Sequence, residues 1–258
     1  SGNVTMIGDA ISTGADVISD DDADSAEDII ISGTGTVEQT AGTINSNTGS
    51  IAIAADSDDS DSGDGAVTLR DLDSNGANQV AQLGDLPGGN VAITVAGDSV
   101  TMIDTNADNI TSGSGDVEVV TDNGNILLGD VNAAGQVVYL EAQTTADDSI
   151  IDNNIDDRNV EASTLIAESS ENIGTVANDE VLLDPEDAGY DAGGGNALET
   201  AVTNLTAIID EAQGDISIDN TAAGGLTLWT VVPANGEDAS MWIRHSNAIT
   251  LPAWTLHY

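Results

Sequence analysis

Cysteine, phenylalanine and lysine are all absent from this chain of 258 residues. Without cysteine there are no disulfides, no thiolate metal ligands and no cysteine nucleophile. Without phenylalanine, and with aromatic residues at only 2%, a core packed around aromatic rings is not expected. The missing lysine leaves three arginines (Arg70, Arg158 and Arg244) against 46 acidic residues, and the formal charge is −43. Such a charge excludes nucleic acid and anionic membrane surfaces as partners, and no apolar run is long enough for membrane insertion.

Most of the acidic residues are Asp, which favours turns, rather than Glu, which favours helices. Their mutual repulsion opposes a compact globule unless the charges are spread along an extended body, screened by salt or bridged by divalent cations. We therefore expect an elongated protein in an environment rich in salt or Ca²⁺.

What the chain does have is a series of short runs in which apolar and polar residues alternate and which end in Gly, Asn or Asp. This pattern predicts β-strands. The runs are DIIISG (28–33), SIAIAA (50–55), AVTLRDL (66–72), NVAITVAG (90–97), SVTMID (99–104), DVEVVTD (116–122), GNILLGD (124–130), QVVYLEA (136–142), DISIDN (215–220) and GLTLWTV (225–231).

The spacing of these runs separates two all-β architectures. The first apolar residues of successive runs lie about 10 residues apart. Two steps of strand and turn therefore give a repeat of about 20 residues. A repeat of this length suits a β-solenoid, in which each coil brings the chain back about 4.8 Å above its start. The alternative is a β-sandwich or jelly-roll, pilin-like subunit, for which the turn DNGN (122–125) is the best evidence. In GDISIDNTAAGGLTL (214–228), the solenoid places Ile216 and Ile218 in the core of one strand and Leu226 and Leu228 in the core of the next.

The chain divides into a predicted β-solenoid, residues 1–228, and an aromatic carboxyl-terminal segment, residues 229–258. Acidic loops are predicted to leave the solenoid near 19–28, 56–65 and 184–196. The last segment contains all three tryptophans and both histidines. It is either a cap over the final coil or a docking strand, and in the second case the assembly interface includes Trp242, Trp254 and Tyr258.

The loop at 56–65 also offers carboxylates to a hard cation. Ca²⁺ takes six to eight oxygen ligands, and the candidate ligands are Asp56, Asp58, Asp59, Asp61 and Asp64. The spacing only approximates an EF-hand loop. The other interpretation is that segment 56–65 is a solvated acidic loop that binds no metal. The sequence indicates no cofactor besides Ca²⁺.

A longer phrase runs from ENIGTVAN (171–178) through ALETAVTNLTAI (197–208) to GDISIDNTAAGGLTL, and NGNILLGDVNAAGQVVYLEAQ (123–143) is a second phrase of the same kind. Both resemble recurring units of the large secreted bacterial proteins of the filamentous-haemagglutinin-like class. The matching positions are Ile173, Gly174, Thr175, Leu198, Thr200, Val202, Leu205, Asp215, Ile216, Ile218, Asn220, Thr221 and Leu226 to Leu228. The resemblance implies a right-handed parallel β-helix in an extracellular, elongated, adhesive or structural protein.

Composition and resemblance together predict a function that is mechanical rather than catalytic. We expect a stiff, acidic module of a bacterial cell-surface or secreted filament, whose partners are copies of itself or neighbouring repeats, and glycans or another cell surface. The nearer alternative is a pilin-like or surface-layer subunit that polymerises by strand exchange. The remote alternative is a β-helix enzyme acting on glycans, for which paired carboxylates would suffice. His245 and His257 have no triad-like spacing to Ser or Asp, so we do not expect an enzyme.

Overall fold

The computed structural model describes residues 4–19, 28–46, 51–55, 66–74, 91–95, 100–102, 110–113, 115–121, 124–142, 148–153, 158–174, 197–210, 214–232 and 241–251. In these residues every regular element is a β-strand. The strands are β1 (Val4–Gly8), β2 (Ile11–Thr13), β3 (Val17–Ser19), β4 (Ile29–Gly33), β5 (Val37–Gln39), β6 (Ile44–Ser46), β7 (Ile51–Ala55), β8 (Val67–Leu69), β9 (Leu72–Ser74), β10 (Val91–Val95), β11 (Val100–Met102), β12 (Ile110–Ser112), β13 (Val117–Thr121), β14 (Ile126–Leu128), β15 (Val131–Ala142), β16 (Ile150–Asp152), β17 (Val160–Ser169), β18 (Leu198–Ala201), β19 (Asn204–Ile209), β20 (Ile216–Asn220), β21 (Leu226–Val232), β22 (Met241–His245) and β23 (Ile249–Thr250).

The strands stack on three faces, because the chain returns to the same face once per coil. Face A contains β1, β4, β7, β10, β13, the second halves of β15 and β17, then β19, β21 and β23. Face B contains β2, β5, β8, β11, β14 and β16, and Ile173 and Ile216 continue it through single bridges. Face C contains β3, β6, β9, β12, the first halves of β15 and β17, then β18, β20 and β22.

All pairings between these strands are parallel. This confirms the predicted β-solenoid, and the β-sandwich alternative is wrong, since hairpin-connected sheets need antiparallel neighbours. The predicted right hand of the coil stays a prediction. Each alternating run found in the sequence contains a strand of the structure.

The coil differs from the predicted one in having three strands rather than two. Its length is close to the prediction where no insertion occurs, since Ile29 pairs with Ile51 and Val117 with Val138, 22 and 21 residues apart. The third strand was not recognised at β6, β9 and β12, which have three residues each and contain a single aliphatic residue followed by polar ones. The two longest coils contain the acidic segments 56–65 and 184–196, which lie outside the described residues.

The core consists of aliphatic columns that run along the stack. On face B one such column contains the paired positions Ile11, Val37, Val67, Ile126, Ile150, Ile173, Ile216 and Met241. Among the described residues the largest fully buried side chains are Ile and Leu, as the lack of aromatic residues predicted. Ile216, Ile218, Leu226 and Leu228 are all buried, so this phrase forms two core-facing strands, as predicted. Each coil is therefore stabilised mainly by the coils directly above and below it.

Candidate functional site

The structure describes only part of the predicted site. The candidate calcium ligands Asp56, Asp58, Asp59, Asp61 and Asp64 lie outside the described residues, as do Trp254 and Tyr258 of the predicted assembly interface. Trp242 is described: it lies in β22 and is partly buried. Within the described ranges no group of three or more His, Asp or Glu side chains could hold a metal ion.

Calcium binding by segment 56–65 stays a prediction that a melting experiment can test. If these carboxylates bind Ca²⁺ in the folded state only, millimolar-range Ca²⁺ raises the melting temperature and a chelator lowers it again. A melting temperature that does not respond to either treatment would support the solvated loop instead. Mg²⁺ at the same concentration is the control for general charge screening.

The described part of the aromatic segment continues the solenoid instead of leaving it. Residues Met241–His245 of β22 pair in parallel with Ile216–Asn220, and β23 pairs with the start of β21. The segment therefore supplies the last described coil. Whether it ends the stack as a cap or docks another molecule stays a prediction.

One arginine organises the outer surface of this last coil. The Arg244 guanidinium forms a two-point ion pair with the buried Asp219 of the preceding coil, with Nε 2.9 Å from Oδ1 and Nη2 in contact with Oδ2. It also lies over the Trp242 ring, 5.5 Å from the centroid, in a cation–π contact. The indole is thus held against its own strand. The arrangement stabilises β22 on β20, because the partner carboxylate is shielded from water.

His245 gives β22 a second attachment. Its Nδ1 lies 2.8 Å from the Asn220 carbonyl oxygen and its Nε2 lies 2.9 Å from the Gly224 carbonyl oxygen. The Asn220 side-chain amide is also 3.2 Å from Nδ1. The ring therefore bridges the end of β20 and the turn that follows it.

Below this contact, carboxylates occur on successive coils. Glu199 pairs with Asp219 across the strands β18 and β20, and Asp152 lies one coil earlier, where it accepts a hydrogen bond from the Asn159 amide at 2.8 Å. Burial raises the pKa of Glu199 to about 7, and the charges of Asp152 and Asp219 act in the same direction, while Arg244 opposes them. Glu199 is therefore an acid that gains and loses its proton near neutral pH.

This pKa predicts that Glu199 makes stability depend on pH. The pKa in the folded state exceeds the ordinary value of 4.5, so its stabilising contribution is complete below pH about 4.5 and is lost as the pH rises through about 7. Glu199→Gln, which cannot ionise, should leave stability at pH 4 nearly unchanged and increase it at pH 8 by about 1–2 kcal/mol, allowing for solvent screening. Urea unfolding at both pH values measures the difference.

The control for this experiment is Glu38→Gln on β5, which makes the same substitution at an exposed glutamate. If Glu199→Gln changes stability equally at pH 4 and pH 8, then Glu199 does not titrate as described.

A second cluster lies on the outer surface of face A, around the one described tyrosine. The Tyr139 hydroxyl donates to Glu141 at 2.5 Å and lies 3.5 Å from a carboxylate oxygen of Glu168 on the next coil. Burial and these carboxylates raise the pKa of Tyr139, so the hydroxyl remains a donor at physiological pH. Burial also raises the pKa of Glu118. The tyrosine thus lies between two acidic side chains of adjacent coils, and its hydroxyl proton reduces their repulsion.

Polar side chains also connect coils at the corner before face B. The Asn125 side-chain oxygen accepts from the Ser149 backbone N–H at 2.7 Å, Ser149 Oγ accepts from the Asn172 N–H at 3.2 Å, and the Asn172 side-chain oxygen accepts from the Asp215 N–H at 3.0 Å. Each link joins one coil to the next. This ladder satisfies backbone groups that the turn leaves without a sheet partner.

No family model, curated protein or solved structure matches this chain. The described residues contain no helix with the length and hydropathy needed to cross a bilayer. The described residues thus form a β-solenoid with an aliphatic core, polar corner ladders and a last described coil attached by an arginine and a histidine.

Proposed function

We propose that the chain is an extracellular structural and adhesive module, a stiff acidic β-solenoid of a cell-surface or secreted filament that assembles with copies of itself. The observation that supports this is the unbroken stacking of coils, seen in the face B column from Ile11 to Met241. To bend or open such a stack, several backbone hydrogen bonds and core contacts must break together. The geometry therefore suits a load-bearing rod.

The distribution of charge supports the same function. Described aspartates such as Asp9, Asp16, Asp71 and Asp130 lie in turns at the corners of the coil, whereas the core columns are aliphatic. Acidic corners keep neighbouring rods apart and soluble, and their repulsion falls as salt rises. The resemblance implies an extracellular bacterial setting, and the net charge of −43 implies one that is rich in salt; both fit such a surface.

The partners that we propose are copies of this chain or neighbouring repeats of the same protein, together with glycans or another cell surface as adhesive targets. Polar and carboxylate side chains on the outside of a sheet can donate to and accept from sugar hydroxyls, and the surface around Tyr139 has this composition. Assembly and adhesion can coexist, because the first uses the ends of the stack and the second its sides.

Location is the decisive test of this proposal. Antibodies raised against the folded chain should label intact source cells or the filaments that they secrete, and brief protease treatment should leave the folded chain largely intact. The control is an antibody to an intracellular protein, which should label only after the cells are opened. Labelling that likewise requires opened cells would contradict an extracellular role.

A further inference from the structure

We infer that the outer side of face A, from β13 to β21, binds a glycan that carries free amino groups. We call this side the outer A surface; it consists of the outward side chains of the face A strands in that range. The inference deepens the proposed function, on which it rests, by naming the adhesive site and the class of sugar that it binds.

No described strand covers the outer A surface. Every described strand belongs to one of the three stacked faces, so none lies across the outside of face A. Because the strands pair in register, their outward side chains form rows along the stack. One row contains, on successive coils, Tyr139, Ile166, Thr206 and Thr230. Each of these side chains is partly exposed, so the row presents an aromatic ring, an aliphatic side chain and two hydroxyls.

A tryptophan stands beside the last position of this row. The register between β19 and β21 shifts after Leu205, and Trp229 is the extra residue of the resulting β-bulge. A bulge turns a side chain out of the regular alternation of a strand, and Trp229 is 50% exposed. Tyr139 and Trp229 lie three strand spacings apart, about 14 Å. The two aromatic side chains therefore lie at opposite ends of one strip.

A second row runs beside the first and combines carboxylates with apolar side chains. It contains, on successive coils, Glu141, Glu168, Ile208 and Val232. The Tyr139 hydroxyl connects the two rows, because it donates to Glu141 at 2.5 Å and lies 3.5 Å from a carboxylate oxygen of Glu168. The outer A surface thus offers apolar contacts, hydroxyls and negative charge side by side.

This combination fits a sugar better than a protein. A pyranose ring has an apolar C–H face that packs on aromatic and aliphatic side chains, and a rim of hydroxyls that bonds to carboxylates and hydroxyls. The strand spacing and the rise per residue give the outer A surface an area of about 400 Å², whereas a stable protein–protein interface covers about 800 Å² on each partner. A pyranose unit is about as long as one strand spacing, so about four units fit along the strip.

Charge complementarity selects a sugar with amino groups. The described strands of face A contain no basic residue, and Glu141 pairs with Glu168 on the next coil. Burial raises the pKa of Glu118, which pairs with Tyr139, and the charge of Glu141 acts in the same direction. A protonated amine beside these carboxylates relieves their repulsion, whereas a uronic acid or a sulfated sugar adds to it.

Titration of the folded chain with sugar tetramers tests this inference. The glucosamine tetramer should bind at about pH 6, where amines are protonated and most carboxylates are ionised. Its N-acetylated counterpart has the same rings without the charge and should bind at least about tenfold more weakly. A galacturonate tetramer should not bind. Isothermal titration calorimetry gives the dissociation constants.

Spermidine is the control for general attraction to a chain of net charge −43. It carries protonated amines without sugar rings, and it should bind at least about tenfold more weakly than the glucosamine tetramer because it cannot pack on the aromatic strip.

Two variants, each with a matched control, locate the site. Trp229→Ala should weaken binding of the glucosamine tetramer at least about tenfold, whereas Trp242→Ala on β22 should change it less than about twofold. Glu141→Gln should weaken binding about tenfold. Glu38→Gln makes the same substitution at an exposed glutamate of face B and should change it less than about twofold, since salt screens distant charges. Circular dichroism shows that each variant stays folded.

Three results would overturn the inference. The first is a glucosamine tetramer that does not bind, the second is an N-acetylated tetramer or spermidine that binds as tightly, and the third is a Trp229→Ala variant that binds like the unmodified chain. The two proposals can also fail separately. Labelling of intact cells without binding of the tetramer would contradict the site and leave the extracellular role standing. Binding by a chain found only inside cells would have the opposite meaning.

Discussion

Replacing Gly214 with alanine should destabilise the protein by about 4 kcal/mol or more, the largest single-residue effect that we predict. Gly214 has a φ of +145°, and a Cβ atom there would lie 1.7 Å from the Glu171 carbonyl oxygen and 2.7 Å from its carbonyl carbon. Both are backbone atoms, so no side-chain rotation can relieve the clash. The corner must move instead, and with it the hydrogen bond from the Asp215 N–H to Asn172. Urea unfolding monitored by circular dichroism measures the loss.

Substitutions at two other glycines distinguish the two causes of this loss of stability, which are backbone strain and the steric clash of the added Cβ atom. Gly135 has a φ of +86° with open space around its Cβ position, so Gly135→Ala carries backbone strain alone, about 1–3 kcal/mol. Gly224 has open space and no positive φ, so Gly224→Ala should stay within about 0.5 kcal/mol of the unmodified protein. We expect the losses in the order Gly214, Gly135, Gly224. Equal losses at Gly214 and Gly135 would show that the close approach to Glu171 contributes nothing.

The fold was predictable from the sequence because alternation and turn residues are local signals. Ile216 and Ile218 can be recognised as core residues from five consecutive letters, and the structure buries both. β17 was missed for a physical reason: several of its buried residues are small or polar, such as Ala162, Thr164 and Ala167.

The candidate site could be predicted less well, because its interactions join residues that are far apart in sequence. Asn172 and Asp215 form one link of the corner ladder although 43 residues separate them. The length of the intervening segment, and therefore the register, cannot be read from local pattern. The pKa of Glu199 likewise depends on Asp152 and Asp219 on neighbouring coils. Only the assembled stack reveals which of the many acidic residues has a shifted pKa.

Gln39 should be the most sensitive polar residue of the described coils, because its buried side-chain amide forms four hydrogen bonds to backbone groups. Its Nε2 donates to the Gly42 carbonyl at 2.7 Å and to the Asp71 carbonyl at 2.9 Å, and its Oε1 accepts from the Arg70 and Asp71 N–H groups at 2.9 and 3.1 Å. The side chain thus ties the turn of its own coil to the turn of the next. Gln39→Leu keeps a similar volume and deprives these backbone groups of this partner, so we expect a loss of about 3–4 kcal/mol in urea unfolding.

Two further substitutions show whether this loss comes from the hydrogen bonds. Glu38→Leu changes the neighbouring exposed residue on the same strand and should alter stability by no more than about 0.5 kcal/mol. Gln39→Glu keeps the shape and the two acceptor bonds but turns a carboxylate towards two carbonyl oxygens, which raises the pKa of the new acid in the folded state. Its destabilisation should therefore grow as the pH rises, since the protonated acid can still donate one of the two lost bonds. If Gln39→Glu were as stable as the unmodified protein at pH 8, the amide donors would not be holding the two turns together.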